Sequence, residues 1–264
     1  MTDVLLTIID SRGVATITLN RPDVHNAFND EVIAALRDAV AQLGDDEKVR
    51  VIMLTGAGKS FSAGADLDWM RRAASYTVEE NEADAIRLSE MLRTLDTVPK
   101  PTVALLNGSA FAGGVGLVAC CDFAIAVETA KFAFTEVRLG LTPATISPYV
   151  GAAIGARNMR RLFLTGERFD AAKALTIGLV NEVAADQAAL HLAGEALVSE
   201  LLQGAPGAHA AAKDLVASVT GRVIDRDLRE DTARRIAARR ASDEGKEGIG
   251  SFFERRKPSW APED

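Results

Sequence analysis

An alternation of β-rich and helix-patterned segments over residues 4–128 constrains the fold of this chain more than any other feature. The first two β-rich runs flank the turn signal SRG, which predicts a hairpin. Residues 29–45 carry apolar side chains at helical spacing and predict a helix with Asn29 or Asp30 as N-cap and Gly44 at its end. Such alternation is typical of an α/β fold with parallel strands and right-handed crossovers. The predicted strands are 4–10, 13–20, 49–56, 100–108 and 122–128, and the later helices are 77–95 and 113–121.

The pattern changes beyond Phe169, where the sequence predicts helices only and many of them are rich in alanine. A chain of 264 residues suits one substantial domain with a small appendage. We therefore predict an α/β core over residues 1–200 and a helical C-terminal part over residues 201–264.

Charge and composition exclude several classes of function. The net charge of −7 disfavours a general nucleic-acid binder. The three histidines are scattered, and Cys120 and Cys121 are neighbours that we interpret as reduced core thiols, so no metal site is expected. The N-terminus lacks the pattern of a signal peptide, and no apolar run is long enough to cross a membrane. These features predict a soluble cytoplasmic protein without nucleic-acid or membrane partners.

Two glycine-rich loops follow predicted strands and lead into helices, namely SFSAGADL at 60–67 and NGSAFAGGVGL at 107–117. Glycine permits backbone conformations closed to other residues and lets a ligand approach the chain closely. Helix N-termini also present free N–H groups, so two such loops side by side could form an oxyanion hole. Tight turns, close helix packing or phosphate binding would use similar loops, and the residues alone leave these alternatives open.

Four ordered stretches of the chain carry a resemblance, namely GKSFSAGADLDWM, NGSAFAGGVGLVACCDFAIA, FAFTEVRLGLTPATISPYV and LTGERFDAAKALTIGLVNEV. They resemble the enoyl-CoA hydratase/isomerase (crotonase) family, and the likeness extends over nearly the whole chain. The resemblance implies a crotonase (ClpP/crotonase-like) fold of repeated β-β-α units with a helical C-terminal part. It also implies a homotrimer or homohexamer assembled through that helical part.

Members of this family act on acyl-CoA thioesters, so the resemblance implies that coenzyme A is part of the substrate and that no separate cofactor is needed. The backbone amides of Ala65 and Gly113 would bind the thioester oxygen and stabilise its enolate, with Gly114 beside them. His25 would belong to the wall around the adenosine end, and Arg21 could assist with the phosphates, although a solvated surface charge is an equal alternative for Arg21 and Lys257. The implied substrate-binding residues are Asn26, Ala27, Ala63, Asp66, Leu67, Gly114 and Lys257.

Hydratases of this family usually carry two catalytic glutamates, and only one of them is present here. Glu136 lies at the second position, within FAFTEVRLG, while Gly116 lies at the first. Burial among apolar neighbours would raise the pKa of Glu136 towards a value useful for proton transfer. A structural ion pair with Arg138 is the alternative role for this glutamate.

The motifs most resemble the bacterial branch that hydrates 3-methylglutaconyl-CoA in leucine degradation. We therefore predict a hydro-lyase that adds water across the 2,3 double bond of a short or branched enoyl-CoA, as in fatty-acid metabolism, with Glu136 as acid and base. A second carboxylate on the substrate could face hydroxyl groups, or the same residues could form an ordinary loop–helix junction. The residues concerned are Thr142, Thr145, Ser147 and Tyr149.

Two alternatives to hydration stay open. A lone base suits a Δ3,Δ2-enoyl-CoA isomerase, which moves one proton and adds no water. Loss of the first glutamate would also fit an acyl-CoA binding protein without catalysis, and the family resemblance adds RNA binding without catalysis, because a eukaryotic member is known for it. RNA binding is disfavoured because the first predicted helix has Arg37 and no lysine.

Overall fold

The computed structural model describes residues 3–262 and contains ten strands and ten α-helices within them. The predicted N-terminal hairpin is confirmed, because β1 pairs antiparallel with β2 from Leu5↔Leu19 to Ile9↔Ala15. The strands are β1 (Leu5–Ile9), β2 (Val14–Leu19), β3 (Val51–Gly56), β4 (Ser60–Ser62), β5 (Thr102–Leu106), β6 (Ser109–Phe111), β7 (Phe123–Val127), β8 (Lys131–Ala133), β9 (Phe169–Asp170) and β10 (Glu182–Ala184).

Two sheets form the α/β part. The larger has the order β1-β2-β3-β5-β7-β10, and all its pairs except the hairpin are parallel, as the alternation predicted. The smaller has the order β4-β6-β8-β9. Strands β3, β5 and β7 each lead within a few residues into a strand of the smaller sheet, and a helical segment follows. This repeat is the β-β-α unit that the resemblance implied.

The helices cover the sheets and then form the C-terminal part. Helix α1 packs its buried face, including Leu36 and Val40, into the core, and Asn29 caps it by accepting from the Val32 N–H. Within residues 3–262 no helix is both long and apolar enough to cross a bilayer. The helices are α1 (Asp30–Asp45), α2 (Leu67–Ala73), α3 (Val78–Thr97), α4 (Gly113–Cys120), α5 (Ser147–Thr165), α6 (Ala171–Thr176), α7 (Gln187–Leu201), α8 (Pro206–Val219), α9 (Arg226–Ala241) and α10 (Asp243–Glu254).

Two sequence predictions about these elements are wrong. The segment beyond Phe169 is not all-helical, because β9 and β10 lie in it and β10 extends the larger sheet beside β7. Strands of two and three residues are too short to leave an alternating pattern. Gly44 does not end its helix but lies inside it, where a Cβ would be 2.8 Å from Val98 Cγ2, so glycine there permits close packing.

The repeated unit brings three loops to one edge of the molecule. The smaller sheet pairs Ser62 with Ala110 and Phe111 with Ala133, so the ends of β4, β6 and β8 lie in register. The residues that follow these ends include Ala65, Gly113 and Glu136. The three predicted catalytic residues therefore lie at corresponding positions, two or three residues beyond the ends of β4, β6 and β8, in three consecutive β-β-α units.

Candidate active site

The first loop leaves one backbone N–H free. Gly64 has φ +85°, and the chain beyond it pairs with Phe28: the Phe28 N–H donates to Gly64 O at 2.6 Å and the Asp66 N–H donates to Phe28 O at 2.8 Å. This bridge uses the groups on both sides of Ala65. The Ala65 N–H itself donates to no acceptor within residues 3–262. It is therefore available to a ligand.

A half-buried ion pair holds this loop in place. Arg21 Nη2 lies 2.9 Å from Asp66 Oδ2, and Arg21 Nη1 donates to Ala27 O at 2.7 Å. Asp66 also caps helix α2 by accepting from the Trp69 N–H. Although burial acts in the opposite direction, this N–H and the Arg21 guanidinium lower the pKa of Asp66. Arg21 thus has partners at the loop, which favours a structural role over the predicted assistance to phosphates.

Asn26 fixes the same loop from the other side. Its side chain is 2% exposed, and Nδ2 donates to Ala57 O at 2.9 Å and to Ser60 O at 2.8 Å. Ser62 Oγ in turn donates to Asn26 O. With φ +55°, Asn26 adopts a left-handed conformation that asparagine tolerates better than most residues. The side-chain amide and the backbone N–H, which donates to Arg21 O at 2.9 Å, are thus both used inside the protein, and Asn26 holds the loop in shape.

The second loop presents the Gly113 N–H at the start of helix α4. As the first helical residue, Gly113 has no intrahelical acceptor, and its N–H donates to no other group within the described residues. Ala112 before it has φ +47° and ψ −119°, a strained conformation for a residue with a Cβ. Because ψ of Ala112 sets the plane of the following peptide, this strain orients the Gly113 N–H.

The two loops lie against each other. A Cβ built on Gly64 would be 2.8 Å from Phe111 O and 3.5 Å from Gly113 N, and a Cβ on Gly114 would be 2.7 Å from Ser62 O. Only glycine allows this approach at both positions. The free amides of Ala65 and Gly113 therefore belong to neighbouring segments, which is the arrangement that an oxyanion hole requires.

Glu136 lies on a short 3-10 turn (Glu136–Leu139) that follows the third loop. Its Oε2 is buried and has no hydrogen-bond partner. Burial raises the pKa of Glu136 above its usual range, and a hydrogen bond from its own N–H acts in the opposite direction. Arg138 donates instead to Thr165 O, and within residues 3–262 no cation forms an ion pair with Glu136. The alternative of a structural ion pair is therefore not what the structure shows.

Ile146 occupies the space where a second carboxylate would begin. A Cβ built on Gly116 would overlap Ile146 Cγ2 and lie 3.0 Å from Ile146 Cβ. Ile146 is 2% exposed and belongs to the hydrophobic core. The position of the missing glutamate is thus closed by packing, and Glu136 is the one acidic side chain that the two predicted positions supply.

The remaining predicted residues, except Lys257, lie in the first loop or in the segment that contacts it. Ala27 is buried and Ala63 half-buried, while Leu67 is 71% exposed at the start of α2. His25 contacts Ser60 Oγ through Nδ1 at 3.0 Å. Lys257 lies beyond α10, and its Nζ donates to Pro262 O.

Two of the hydroxyl groups suggested for a substrate carboxylate have contacts elsewhere in the fold. Ser147 Oγ donates to Ala144 O, which is an ordinary turn contact. Tyr149 lines a cavity of about 930 Å³ together with Cys121 and Asp122, at the C-terminal end of α4. The eight residues of α4 separate that end from Gly113 by about 12 Å. The Ser147 contact agrees with the alternative of an ordinary loop–helix junction, and a role of this set towards a substrate carboxylate stays a prediction.

Sequence reasoning missed the residues that support the site. Phe28 bridges the first loop, and its ring would touch a Cβ on Gly113 at 3.0 Å. Trp69 is buried, yet its indole Nε1 has no partner. The sequence offers no signal for these roles, because each depends on a contact between segments far apart in the chain.

Comparison with known proteins agrees with this geometry. The enoyl-CoA hydratase/isomerase family model matches residues 10–263. A crotonyl-CoA hydratase of Syntrophomonas wolfei is 32% identical over 256 residues, covering 94% of both chains. A short-chain-enoyl-CoA hydratase of Clostridium acetobutylicum is 30% identical over 258 residues, covering 95% of both. The crystal structure of an enoyl-CoA hydratase from Shewanella pealeana superimposes with a TM-score of 0.94 at 42% identity, covering 97% of this chain and 96% of that one.

The fold and the paired free amides define a protein built on the crotonase architecture. The chain belongs to the enoyl-CoA hydratase/isomerase family. Its departure from the usual two-glutamate pattern is structural, because Ile146 fills the space beside Gly116.

Proposed function

We propose that this protein is an enoyl-CoA hydratase in which Glu136 is the sole acid and base. The observation that carries the proposal is the buried, unpartnered Glu136 carboxylate on the same edge as the free amides of Ala65 and Gly113. The thioester oxygen would accept from both amides, and these would stabilise the enolate that forms during addition. The hydratase names of the relatives support the same reaction.

With one carboxylate, the two proton transfers must occur in sequence. Glu136 takes a proton from water as the water oxygen bonds to Cβ, and the electrons of the double bond move to the thioester oxygen. The protonated Glu136 then delivers its proton to Cα, the enolate collapses and the carboxylate is regenerated. Burial suits Glu136 to this exchange, because it raises the pKa of the carboxyl towards neutral pH.

Double-bond isomerisation is the second candidate, and the packing of Ile146 against Gly116 favours it. An isomerase would use Glu136 to remove a proton from Cα of a 3-enoyl-CoA and return one to Cγ. The same amides would stabilise the dienolate. No water would be incorporated.

Isotope incorporation distinguishes the two reactions. Panels of 2-enoyl- and 3-enoyl-CoA thioesters are incubated with the protein in ¹⁸O-water and analysed by mass spectrometry. A hydratase places ¹⁸O on C3 of a 3-hydroxyacyl product. Conversion of a 3-enoyl to a 2-enoyl thioester with no label in any product would overturn hydration in favour of isomerisation.

For the physiological substrate we propose a short or branched enoyl-CoA, with 3-methylglutaconyl-CoA of leucine degradation as the first candidate. The stretch GLTPATISPYV, which resembles that branch of the family, supports this choice. Comparison of kcat/KM for 3-methylglutaconyl-CoA and unbranched crotonyl-CoA tests it. A preference for the unbranched thioester would exclude 3-methylglutaconyl-CoA as the first candidate.

We propose for coenzyme A a path along the first loop, with contacts at Asn26, Ala27, Ala63, Asp66 and Leu67 and with Lys257 near the phosphates. The exposed Leu67 beside the free Ala65 amide supports this path. Leu67→Ser should weaken binding of free coenzyme A, measured by calorimetry, while the exposed Leu192→Ser serves as the control. Equal affinities would contradict the path.

We also propose that the helical part over residues 201–264 assembles the chain into a trimer or a hexamer. Phe252 and Phe253 on α10 are 78% and 76% exposed, and such a pair of aromatic rings is typical of an interface. Light scattering after gel filtration should show the oligomer, and Phe252→Ser/Phe253→Ser should reduce its mass. A monomeric wild-type protein would contradict this assembly.

A further inference from the structure

Two buried side-chain polar atoms within residues 3–262 have no hydrogen-bond partner, and the proposed reaction accounts for only one of them. The first is Glu136 Oε2, the proposed acid and base. The second is Trp69 Nε1, a donor that the proposed proton transfers do not use. Native proteins rarely leave a buried donor unpaired, because it loses its hydrogen bonds to water without replacing them. The partner of the Trp69 indole must therefore come from outside the described residues, as a ligand or as an internal water.

Trp69 lies close to the predicted oxyanion hole along the chain. It belongs to the first turn of α2, and its backbone N–H donates to Asp66 Oδ1, the carboxylate next to Ala65. Trp69 is four positions beyond Ala65, and because α2 begins only at Leu67, the chain limits the distance between their Cα atoms to about 14 Å at most. Leu67 and Asp68 face solvent, while Trp69 is 9% exposed, so its side chain is on the protein side of the helix.

The chemistry of the indole limits what it can bind. Its N–H is a donor only, so the missing partner is an acceptor. We propose that the Trp69 indole N–H determines substrate specificity by donating to an oxygen atom of the acyl group beyond the reacting carbons. The proposal rests on the proposed function, because it takes the acyl-CoA thioester as the ligand. The Trp69 indole N–H would thus favour acyl groups that carry a carboxylate, carbonyl or hydroxyl oxygen over purely hydrocarbon acyl groups.

The test uses the fact that the chain contains two tryptophans. Trp260 supplies a matched control, because its Nε1 already donates to Gln203 O at 3.1 Å. In protein labelled with ¹⁵N at the indole nitrogens, Trp260→Phe assigns both signals. Acetoacetyl-CoA and glutaryl-CoA provide acyl oxygens, and butyryl-CoA provides none beyond the thioester.

We expect the Trp69 indole signal to move downfield with the oxygenated acyl-CoA thioesters and to move less with butyryl-CoA, while the Trp260 signal stays in place. A Trp69 signal that responds equally to both kinds of ligand, or to neither, would overturn the proposal and indicate an internal water as the partner. This readout needs no turnover and no change at Trp69.

A kinetic arm separates specificity from a merely structural role. Trp69→Phe keeps most of the ring but removes the donor. We expect KM for an oxygenated enoyl-CoA to rise about tenfold with little change for a hydrocarbon one, which is the effect of one lost hydrogen bond. Equal loss on both substrates would contradict the proposal. If no acyl-CoA binds the wild-type protein, the proposed function fails together with this inference, whereas binding without the Trp69 response overturns the inference alone.

Discussion

The two ends of helix α4 differ in how their polar groups are satisfied. At the N-terminal end, the Gly113 N–H has no acceptor within residues 3–262, and Glu136 Oε2 nearby in the fold is unpartnered. At the C-terminal end, Asp122 accepts from the Thr102 N–H at 2.8 Å, from Thr102 Oγ1 at 2.9 Å and from Lys213 Nζ at 2.7 Å. One end keeps groups available for a ligand, and the other uses its groups within the fold.

The cavity in this part of the molecule is not at the end of α4 that keeps its polar groups free. The cavity of about 930 Å³ lies at the satisfied end, where Asp122 and Lys213 are among its lining residues. The proposed reactive end is therefore the end with free polar groups and not the end with this cavity. We therefore expect variants at the N-terminal end of α4 to change the catalytic rate and variants at the C-terminal end to change the stability of the fold.

Glu136→Gln should produce the largest effect of all. The amide keeps the shape of the side chain but cannot exchange a proton at neutral pH, so we expect kcat to fall on the order of 10²- to 10⁴-fold. Affinity for an acyl-CoA, measured by calorimetry, should stay nearly constant. The exposed Glu182→Gln is the control. If Glu136→Gln retained most of the wild-type kcat, its carboxylate would have no catalytic role.

Gly113→Pro should follow, because proline is accepted at the first helical position but lacks the N–H. Loss of one oxyanion donor is expected to lower kcat by about 100-fold or more. Gly113→Ala is the matched variant, since its Cβ meets the Phe28 ring at the same 3.0 Å and its N–H is kept. Equal rates for the folded proline and alanine variants would refute the role of this amide.

Gly116→Glu tests the closed position beside Ile146. Overpacking against a buried isoleucine should lower the free energy of unfolding by about 1–3 kcal/mol, measured by urea denaturation. Adding Ile146→Ala should recover part of this loss, because the two changes act on the same space. The double variant should also hydrate crotonyl-CoA faster than Gly116→Glu alone. Strictly additive losses in stability would show that Ile146 does not close this position.

Asp122→Asn should lower the free energy of unfolding by about 1–3 kcal/mol, because it leaves Lys213 without its charged partner in a half-buried setting. We expect kcat to stay within about twofold of the wild-type value, since no step of the proposed reaction uses this end. Lys213→Met completes a double-mutant cycle. A large fall in kcat with unchanged stability would erase the distinction between the two ends.

The smallest expected effect is a pH-dependent gain in stability in Glu136→Gln. Burial raises the pKa of Glu136 in the folded state, so folding favours the protonated carboxyl. The ionised group therefore destabilises the fold above its folded-state pKa and has no such effect below the ordinary glutamate pKa. Tm of the variant should exceed that of the wild type at neutral pH and approach it on acidification. A difference independent of pH would contradict this origin.

Much of the α/β part was predictable because its elements are encoded locally. The hairpin, the parallel strands β3, β5 and β7 and the buried helix α4 follow from apolar periodicity. The glycines of the two loops were also recognisable, since conformational freedom in an apolar segment is unusual. Glu136 was predicted from the family resemblance, and its burial agrees with its apolar neighbours.

The remaining features depend on contacts across the chain. No local pattern places Ile146 against Gly116, which is thirty residues away in sequence. The bridge between Phe28 and Ala65 joins segments separated by more than thirty residues. Strand β10 was missed because three residues carry too little periodicity, although pairing with β7 stabilises it.

The conformation of Ala112 has a consequence for how the protein loses activity. A positive φ at a residue with a Cβ costs about 1–3 kcal/mol, and the surrounding packing must maintain it. The peptide before Gly113 can therefore relax at a free-energy cost well below that of global unfolding. Mild denaturant should abolish activity before the circular dichroism changes. Under the same conditions, hydrogen exchange at the Ala112 amide, which donates to Ala133 O at 2.9 Å, should become faster than in the interior of β5.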